Sequence, residues 1–173
     1  MDPKVELIPV RDAEMDDFKR RMQVAFTLAA QAAFPDFGET IPPARDIDES
    51  LDAPGAEALQ VVHDGRNVGG AITVGTDGTK LLDCIFIDPE YQNLHLGHAA
   101  WCAIEARYPD ARIWELVTPY HEKRNIHFYV NRCGFHIVEY YNEHHPRPGD
   151  PDAGEDGQFP GGMFRFEKVI DKP

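Results

Sequence analysis

The chain has 173 residues, of which 42% are hydrophobic and 27% charged, as expected for a soluble globular protein that is long enough to bury a core. Its formal net charge of −13 argues against a nucleic-acid partner, which calls for a basic face, and no apolar run reaches the length of a membrane span. Three cysteines without paired spacing, and an amino terminus unlike a signal peptide, predict reduced thiols in a cytoplasmic protein.

The amino-terminal part of the chain is predicted to alternate between strands and helices. A short strand over 5–10 precedes a helix that starts after the acidic residues near 14 and runs to Ala33. Its apolar stripe consists of Phe18, Met22, Ala25, Phe26 and Ala29. A short acidic helix follows over 44–51, and two strands over 58–63 and 68–74 are joined by a hairpin turn at 64–67.

The most informative segment is 80–99. Seven largely apolar residues, 81–87, predict a strand buried on both faces, which stops at Asp88-Pro89. After a polar loop, a helix is predicted from Leu94 onward, with an apolar stripe formed by Leu96, Ala99, Ala100, Ala103 and Ile104. A strand, a tight loop and a helix start are what a phosphate-binding site needs, because free N–H groups and the helix dipole favour an anion. A simple strand-to-helix connection without a ligand is the alternative interpretation.

The carboxy-terminal part is predicted to contain three more strands and one helix. The strands cover 113–118, 135–139 and 163–169. The helix has Ile126, Tyr129, Val130 and Cys133 on its apolar stripe and ends at Gly134 in a left-handed cap. Residues 142–162 are rich in Pro, Gly and acid, which is typical of a mobile loop within a domain. We therefore expect one domain over residues 1–173.

Two segments together resemble the GNAT superfamily of acyl-CoA N-acyltransferases. Gln92 to Ala99 is similar to the family's Q/R-x-x-G-x-G/A loop at a helix start, and Phe128-Tyr129 followed by Gly134-Phe135 is similar to its second signature. The resemblance implies an α/β fold of the GNAT type, with a central mixed, mostly antiparallel sheet flanked by helices. It also implies acetyl-CoA as co-substrate.

The chain departs from the family pattern at two positions. His95 stands where the loop has its first Gly, and it is tolerated if that position has ordinary helical geometry; its ring is also able to donate to a phosphate. Gly134 lies five positions after Tyr129, one more than the four positions that are usual between these two residues in the family. One residue turns a helix by about 100°. Counting back from Gly134 would place Val130 at the family's tyrosine position, and counting forward from the helix start places Tyr129 there.

The resemblance assigns cofactor-binding roles to two groups of residues. Backbone N–H groups of the loop and helix start would hold the pyrophosphate, while strand residues would pair with the pantetheine arm and polarise the thioester. Asn125 opens the second helix and is expected either to bond the cofactor arm or to be an exposed capping residue. The residues concerned are Ile85, Phe86, Ile87, Gln92, Asn93, Leu94, His95, Leu96, Gly97, His98 and Asn125.

The resemblance makes Tyr129 the general acid that protonates the coenzyme A thiolate; a buried core tyrosine is the alternative. Asp83 is our choice of base, because a carboxylate inside an apolar strand should be buried and have a raised pKa. Glu115 is a similar carboxylate on the next strand, and direct attack by an amine that loses its proton to water is equally compatible with the pattern. His121 and His127 are candidates of lower rank for the base.

The function implied is transfer of an acetyl group from acetyl-CoA to a primary amine of a small molecule. The acidic charge fits a polycationic acceptor, although it also fits mere solubility. The alternative function is a catalytically silent domain of this family that binds an acyl-CoA or a protein partner. We expect no metal, since the histidines show no zinc spacing and His144-His145 stands alone in a polar loop, and no nucleic-acid or membrane partner. A homodimer is common in such folds.

Overall fold

The computed structural model describes residues 1–149 and 162–171, which belong to two compact units, Met1–Ala111 and Arg112–Pro173. The prediction of one domain is not tested by this division, and most of the predicted acidic loop at 142–162 lies outside the described residues. No helix in the described part of the chain is both long and apolar enough to cross a bilayer.

The first unit contains four strands and three helices. In chain order they are β1 (Glu6–Pro9), α1 (Met15–Ala33), α2 (Ala44–Asp52), β2 (Glu57–His63), β3 (Arg66–Val74), β4 (Thr79–Ile87) and α3 (Leu96–Arg107). The strands pair with their chain neighbours, and every pairing is antiparallel. Asp64 and Gly65, both with positive φ, form the predicted hairpin turn between β2 and β3.

Helices cover both faces of this sheet. Phe18 and Met22 of α1 pack with Ile47 of α2 against Ile72 and Phe86 on one face. On the other face, two residues of α3 pack against the opposite set of strand side chains; the buried members of this second cluster are Leu96, Ala100, Val61 and Val68. Because strand side chains alternate between faces, neighbouring residues of β4 serve different layers.

The second unit contains three strands and a helix that changes its pitch. Its elements are β5 (Ile113–Pro119), α4 (Lys123–His127), a π-helical turn (Phe128–Arg132), β6 (His136–Tyr141) and β7 (Met163–Val169). Strand β7 pairs antiparallel with both β5 and β6, so it lies between them. The predicted class, α/β with mostly antiparallel strands and flanking helices, is confirmed.

Most predicted elements are found within two or three residues of their expected bounds. The apolar stripe of α1 differs at its end, where Ala30 is buried and Ala29 exposed. In α3, Trp101 is buried at 2% exposure and was absent from the predicted stripe. The buried residues of α3 therefore cover a wider part of its surface than one narrow stripe.

Candidate functional site

Strand β4 carries a bulge in its middle. Ile72 of β3 lies opposite Cys84 and Thr73 lies opposite Leu82, so Asp83 is the extra residue that β4 inserts at this point of the ladder. A bulge bends its strand and turns a side chain away from the regular alternation. The side chain of Asp83 is accordingly exposed. Our expectation that the apolar strand would bury this carboxylate is therefore wrong, and its role as a base no longer rests on burial.

The residues after the bulge, Ile85 to Ile87, run alongside two glycines of β3. Gly69 lies opposite Ile87 and Gly70 opposite Phe86. A Cβ on Gly69 would come within 2.2 Å of the Phe86 carbonyl oxygen, and one on Gly70 within 2.4 Å of the Phe18 ring. The close approach of β3, β4 and α1 at this point requires glycine at both positions.

The end of β4 is fixed by a buried ion pair. Asp88 is 8% exposed, its backbone N–H donates to the Val68 carbonyl at 2.9 Å, and its carboxylate accepts hydrogen bonds from the Arg21 guanidinium. Arg21 also donates to the Asn67 side chain at 3.1 Å. The strand end is thus tied to α1 and to the start of β3. From the sequence, Asp88 was predicted only to end the strand. The signal that was missed is Arg21, on the side of α1 that faces the sheet.

The loop that follows is held in shape by its own hydrogen bonds. Pro89–Tyr91 forms one 3₁₀ turn, in which the Tyr91 N–H donates to the Asp88 carbonyl at 2.9 Å. The Gln92 side-chain amide donates back to the Ile87 carbonyl at 3.2 Å. Gln92 therefore links the loop to the strand end, and its side chain shapes the site while its backbone remains a candidate for cofactor contact.

His95 adopts a left-handed conformation, with φ 58° and ψ 15°, immediately before α3. The condition under which the sequence allowed a histidine here, ordinary helical geometry, is therefore not met. The position is one that favours glycine, which explains the glycine in the family loop, and histidine is among the residues that populate it more than most. Asn93 also has a positive φ, of 67°. Both side chains are exposed, so the left-handed conformation does not force either of them into the core. Its cost is backbone strain.

The helix begins at Leu96, two residues later than predicted. The first hydrogen bond that returns into α3 runs from the Ala99 N–H to the His95 carbonyl at 3.4 Å, and His95 makes no side-chain cap. The N–H groups of the first turn, Leu96 to His98, therefore point out of the helix end without a partner in the ladder. With the helix dipole, they can hold an anion such as a phosphate group.

In the second unit, a π-helical turn resolves the irregular spacing around Tyr129. The Cys133 N–H donates to the carbonyl of Phe128, five residues back, at 3.0 Å, and the Phe135 N–H donates to the Tyr129 carbonyl at 2.9 Å. A π turn accommodates one extra residue inside a helix. The extra residue before Gly134 is thus absorbed within the helix, and Tyr129, counted from the helix start, keeps its inward orientation.

Tyr129 is 8% exposed and is surrounded by aromatic rings. Its ring centroid lies 5.3 Å from that of Phe128, 5.9 Å from that of Phe135 and 5.8 Å from that of Phe166. These rings fix the position of the phenol. A rigid phenol suits both a general acid and a core residue. The geometry is therefore compatible with both roles that the sequence suggested for Tyr129.

The other predicted residues of this unit lie on or near α4. Asn125 is the third residue of α4 and is half-buried. His127 is exposed, and its Nδ1 lies 2.8 Å from the Asn131 side-chain amide. His121 lies before α4, with its Nε2 3.4 Å from a carboxylate oxygen of Glu122. None of these contacts singles out a base.

Glu115 belongs to a charged network centred on Arg165. The guanidinium donates to Glu115 at 3.3 Å and to Glu139 at 2.9 Å. Glu139 also accepts hydrogen bonds from the Tyr141 hydroxyl at 3.0 Å and from His145 at 2.7 Å. The hydrogen bonds from His145, Arg165 and Tyr141, with that of His145 the largest cause, lower the pKa of Glu139 to about 2. A carboxylate held in this way is a poor proton acceptor, and Glu115 already has a cation beside it. The network was missed because its central residue, Arg165, is 26 positions from Glu139 and 50 from Glu115.

Comparisons with known proteins cover residues of both units. Residues 21–135 match the family model "Acetyltransferase (GNAT) family". The chain is 44% identical to the uncharacterized protein YrkN of Bacillus subtilis strain 168 over 178 residues, which cover 99% of this chain and 96% of that protein.

Solved structures with the same fold are distant in sequence. A GNAT family acetyltransferase from Elizabethkingia anophelis with acetyl-CoA bound has a TM-score of 0.68 at 14% identity, covering 96% of this chain and 99% of that one. A Bacillus subtilis acetyltransferase in complex with CoA has a TM-score of 0.67 at 20% identity, covering 97% and 99%. A spermidine N-acetyltransferase chimera from Vibrio cholerae SpeG and hSSAT has a TM-score of 0.67 at 13% identity, covering 96% and 95%.

The family model matches well over half of the chain, and it includes the loop at Gln92–His98 and the helix that carries Tyr129. YrkN extends the similarity to nearly the full length. The strand, loop and helix start found in the first unit are the elements on which the resemblance was based. The chain therefore belongs to the GNAT family of acetyltransferases.

Proposed function

We propose that this protein is an acetyl-CoA-dependent N-acetyltransferase that acts on a primary amine of a small molecule. The observation that carries the proposal is the outward-pointing first turn of α3, which follows a loop fixed by Asp88 and Gln92. Family membership and the acetyl-CoA and CoA found in the Elizabethkingia anophelis and Bacillus subtilis structures support coenzyme A as the anion that binds there.

In this proposal the backbone binds most of the cofactor. N–H groups between Asn93 and His98 hold the pyrophosphate, and the left-handed conformation of His95 lets successive N–H groups turn toward it. Backbone groups of Ile85, Phe86 and Ile87 pair with the pantetheine arm, and one of their N–H groups polarises the thioester carbonyl. Asn125 binds the cofactor arm through its side-chain amide.

The chemical step transfers an acyl group between a sulfur and a nitrogen. The neutral amine attacks the thioester carbonyl, the C–S bond breaks, and an amide and a coenzyme A thiolate result. Tyr129 donates its phenolic proton to the thiolate. Asp83 takes the proton lost by the amine, directly or through water, and its exposed position at the bulge keeps it accessible to a solvent-borne acceptor.

The acceptor is proposed to be a small amine, and a polycationic one fits best. The net charge of −13 attracts cations, and one structural neighbour is a spermidine N-acetyltransferase chimera. A cytoplasmic location and a homodimer remain predictions from the sequence.

The test is a thiol-release assay with acetyl-CoA and a panel of small amines that includes spermidine and monoamines of similar size. The proposal expects release of free coenzyme A together with an acetylated amine, identified by its mass. Cofactor binding without thiol release from any amine would contradict it. That result would support the second candidate, a silent acyl-CoA-binding domain, which the strained His95 in the loop favours.

A further inference from the structure

Three potential metal ligands meet on the surface of the first unit. Nδ1 of His98 lies 2.6 Å from Oδ2 of Asp2, and Nε2 of the same ring lies 3.7 Å from Sγ of Cys102. The ligand atoms of the three residues all lie within 4.8 Å of one another. We propose that Nε2 of His98 and Sγ of Cys102 bind a thiophilic divalent cation of the Zn²⁺ class, while Asp2 accepts the Nδ1–H hydrogen bond of His98 and orients the ring.

The helix supplies both protein ligands at fixed spacing. His98 and Cys102 are four residues apart on α3, so their side chains lie one above the other on the same helix face. With Zn–S and Zn–N bonds of about 2.3 and 2.0 Å, two ligands on one tetrahedral ion lie roughly 3.5 Å apart. The observed 3.7 Å between Nε2 and Sγ matches this spacing. The helix backbone need not move to bind the ion.

The chemistry of the ligand set selects the kind of ion. A thiolate and an imidazole suit Zn²⁺ or Co²⁺, whereas Mg²⁺ and Ca²⁺ prefer oxygen ligands throughout. Two protein ligands leave the other two tetrahedral positions to water. Binding replaces a proton: the metal–sulfur bond forms as the Cys102 thiol releases its proton to solvent, so affinity increases with pH.

Cys102 is also the accessible thiol. It is exposed, whereas Cys133 is buried and Cys84 is only partly accessible. Burial raises the pKa of the Cys84 thiol, which keeps that sulfur protonated and a poor ligand. The proposed site uses side chains of α3, and the proposed cofactor contact uses backbone N–H groups, so the two are separate claims. A bound ion on Nε2 would strengthen the hydrogen bond between His98 and Asp2, which ties the segment before β1 to α3.

The proposal is tested by titrating coenzyme A-free protein with Zn²⁺ against a chromogenic chelator, because the cofactor's own thiol binds zinc. We expect one ion per chain, and at least about tenfold weaker binding in Cys102→Ser, His98→Asn and Asp2→Asn. Co²⁺ should give a thiolate-to-metal charge-transfer absorption in the wild type that is lost in Cys102→Ser. Zn²⁺ should also slow alkylation of Cys102, which peptide mass analysis can locate.

The matched control is His144→Asn, which removes a histidine that is 84% exposed in its side chain and lies outside the cluster. Its zinc affinity should equal that of the wild type. Equal affinity in wild type and Cys102→Ser, or no cobalt absorption in the wild type, would overturn the proposal. Equal losses in His144→Asn and His98→Asn would also overturn it, since they would show that surface histidines bind the ion unspecifically. Asp2→Asn alters an exposed side chain, so it keeps the test valid if a helix variant fails to fold.

Discussion

Arg21 on α1 donates to both carboxylate oxygens of Asp88, with its Nε 3.2 Å from Oδ2 and 3.3 Å from Oδ1. The two side chains are only 13% and 11% exposed. Asp88 ends β4 and begins the loop that leads to α3. This buried ion pair therefore fixes the start of the proposed phosphate loop relative to α1. That helix packs on one face of the sheet, and α3, to which the loop leads, packs on the other.

Replacing Arg21 with Met should leave the Asp88 carboxylate buried without its partner and destabilise the protein by about 3–5 kcal/mol. The matched control is Arg20→Met, which breaks a pair with Asp17 in which both side chains are more than half exposed; it should cost about 0.5 kcal/mol or less. Urea unfolding of the three proteins measures the difference. Equal losses in the two variants would show that the pair does not hold the loop.

Replacing His95 with glycine should change the stability little, whereas replacing it with valine should destabilise the protein. Glycine removes the left-handed strain but makes the unfolded chain more flexible, and these effects nearly cancel, so His95→Gly should change stability by less than about 1 kcal/mol. Valine cannot adopt φ 58° easily, and His95→Val should cost about 1–2 kcal/mol. Denaturant unfolding provides both values. A stable His95→Val protein would mean that the loop is not left-handed at this residue.

Tyr129→Phe should lower turnover by about 100-fold or more and leave acetyl-CoA affinity nearly intact, because the proposed acid acts after the cofactor is bound. The control is Tyr108→Phe, which also loses a partly buried phenol hydroxyl, here bonded to Glu57 and Thr73. It should lose stability but keep its turnover. Steady-state kinetics and calorimetry separate these effects. Full turnover in Tyr129→Phe would assign the tyrosine to the core alone.

The hydrogen bonds of Glu139 should make part of the protein's free energy of unfolding depend on pH in acid. Its folded pKa of about 2 lies below the ordinary value of about 4.3, so its network with His145 and Arg165 contributes fully above pH 4.3. That contribution is lost as the pH falls toward 2. The stability difference between wild type and Glu139→Gln, measured in urea from pH 6 to 2, should shrink over this range. Glu6→Gln, on exposed β1, controls for the loss of one negative charge. A constant Glu139→Gln difference would contradict the network.

The order and type of the elements were predictable because each carries a local signal. The two-residue period of β7 and the apolar stripe of α1 are visible in the printed sequence, and the Asp64-Gly65 turn needs the positive φ that its residues allow. The proposal that a cofactor binds at the start of α3 followed from the strand, loop and helix pattern together with the family resemblance.

The irregular features were not predictable. The bulge at Asp83 depends on the register of β3 against β4, and no local pattern in β4 reveals it. The π turn at Phe128–Arg132 was visible only as an irregular spacing before Gly134. The Arg21–Asp88 pair joins residues 67 positions apart. Each of these features arises from tertiary packing, which a single sequence does not encode locally.

The central claim is that coenzyme A binds at the start of α3, and calorimetry with acetyl-CoA and with free coenzyme A tests it most directly. The wild type should bind both ligands with micromolar affinity. Leu94→Glu places a negative charge on an exposed loop residue beside the proposed pyrophosphate and should weaken binding strongly. Leu28→Glu makes the same change at an exposed position of α1 and should bind like the wild type. The absence of binding by the wild type at millimolar acetyl-CoA, or equal affinities in the two variants, would contradict the claim.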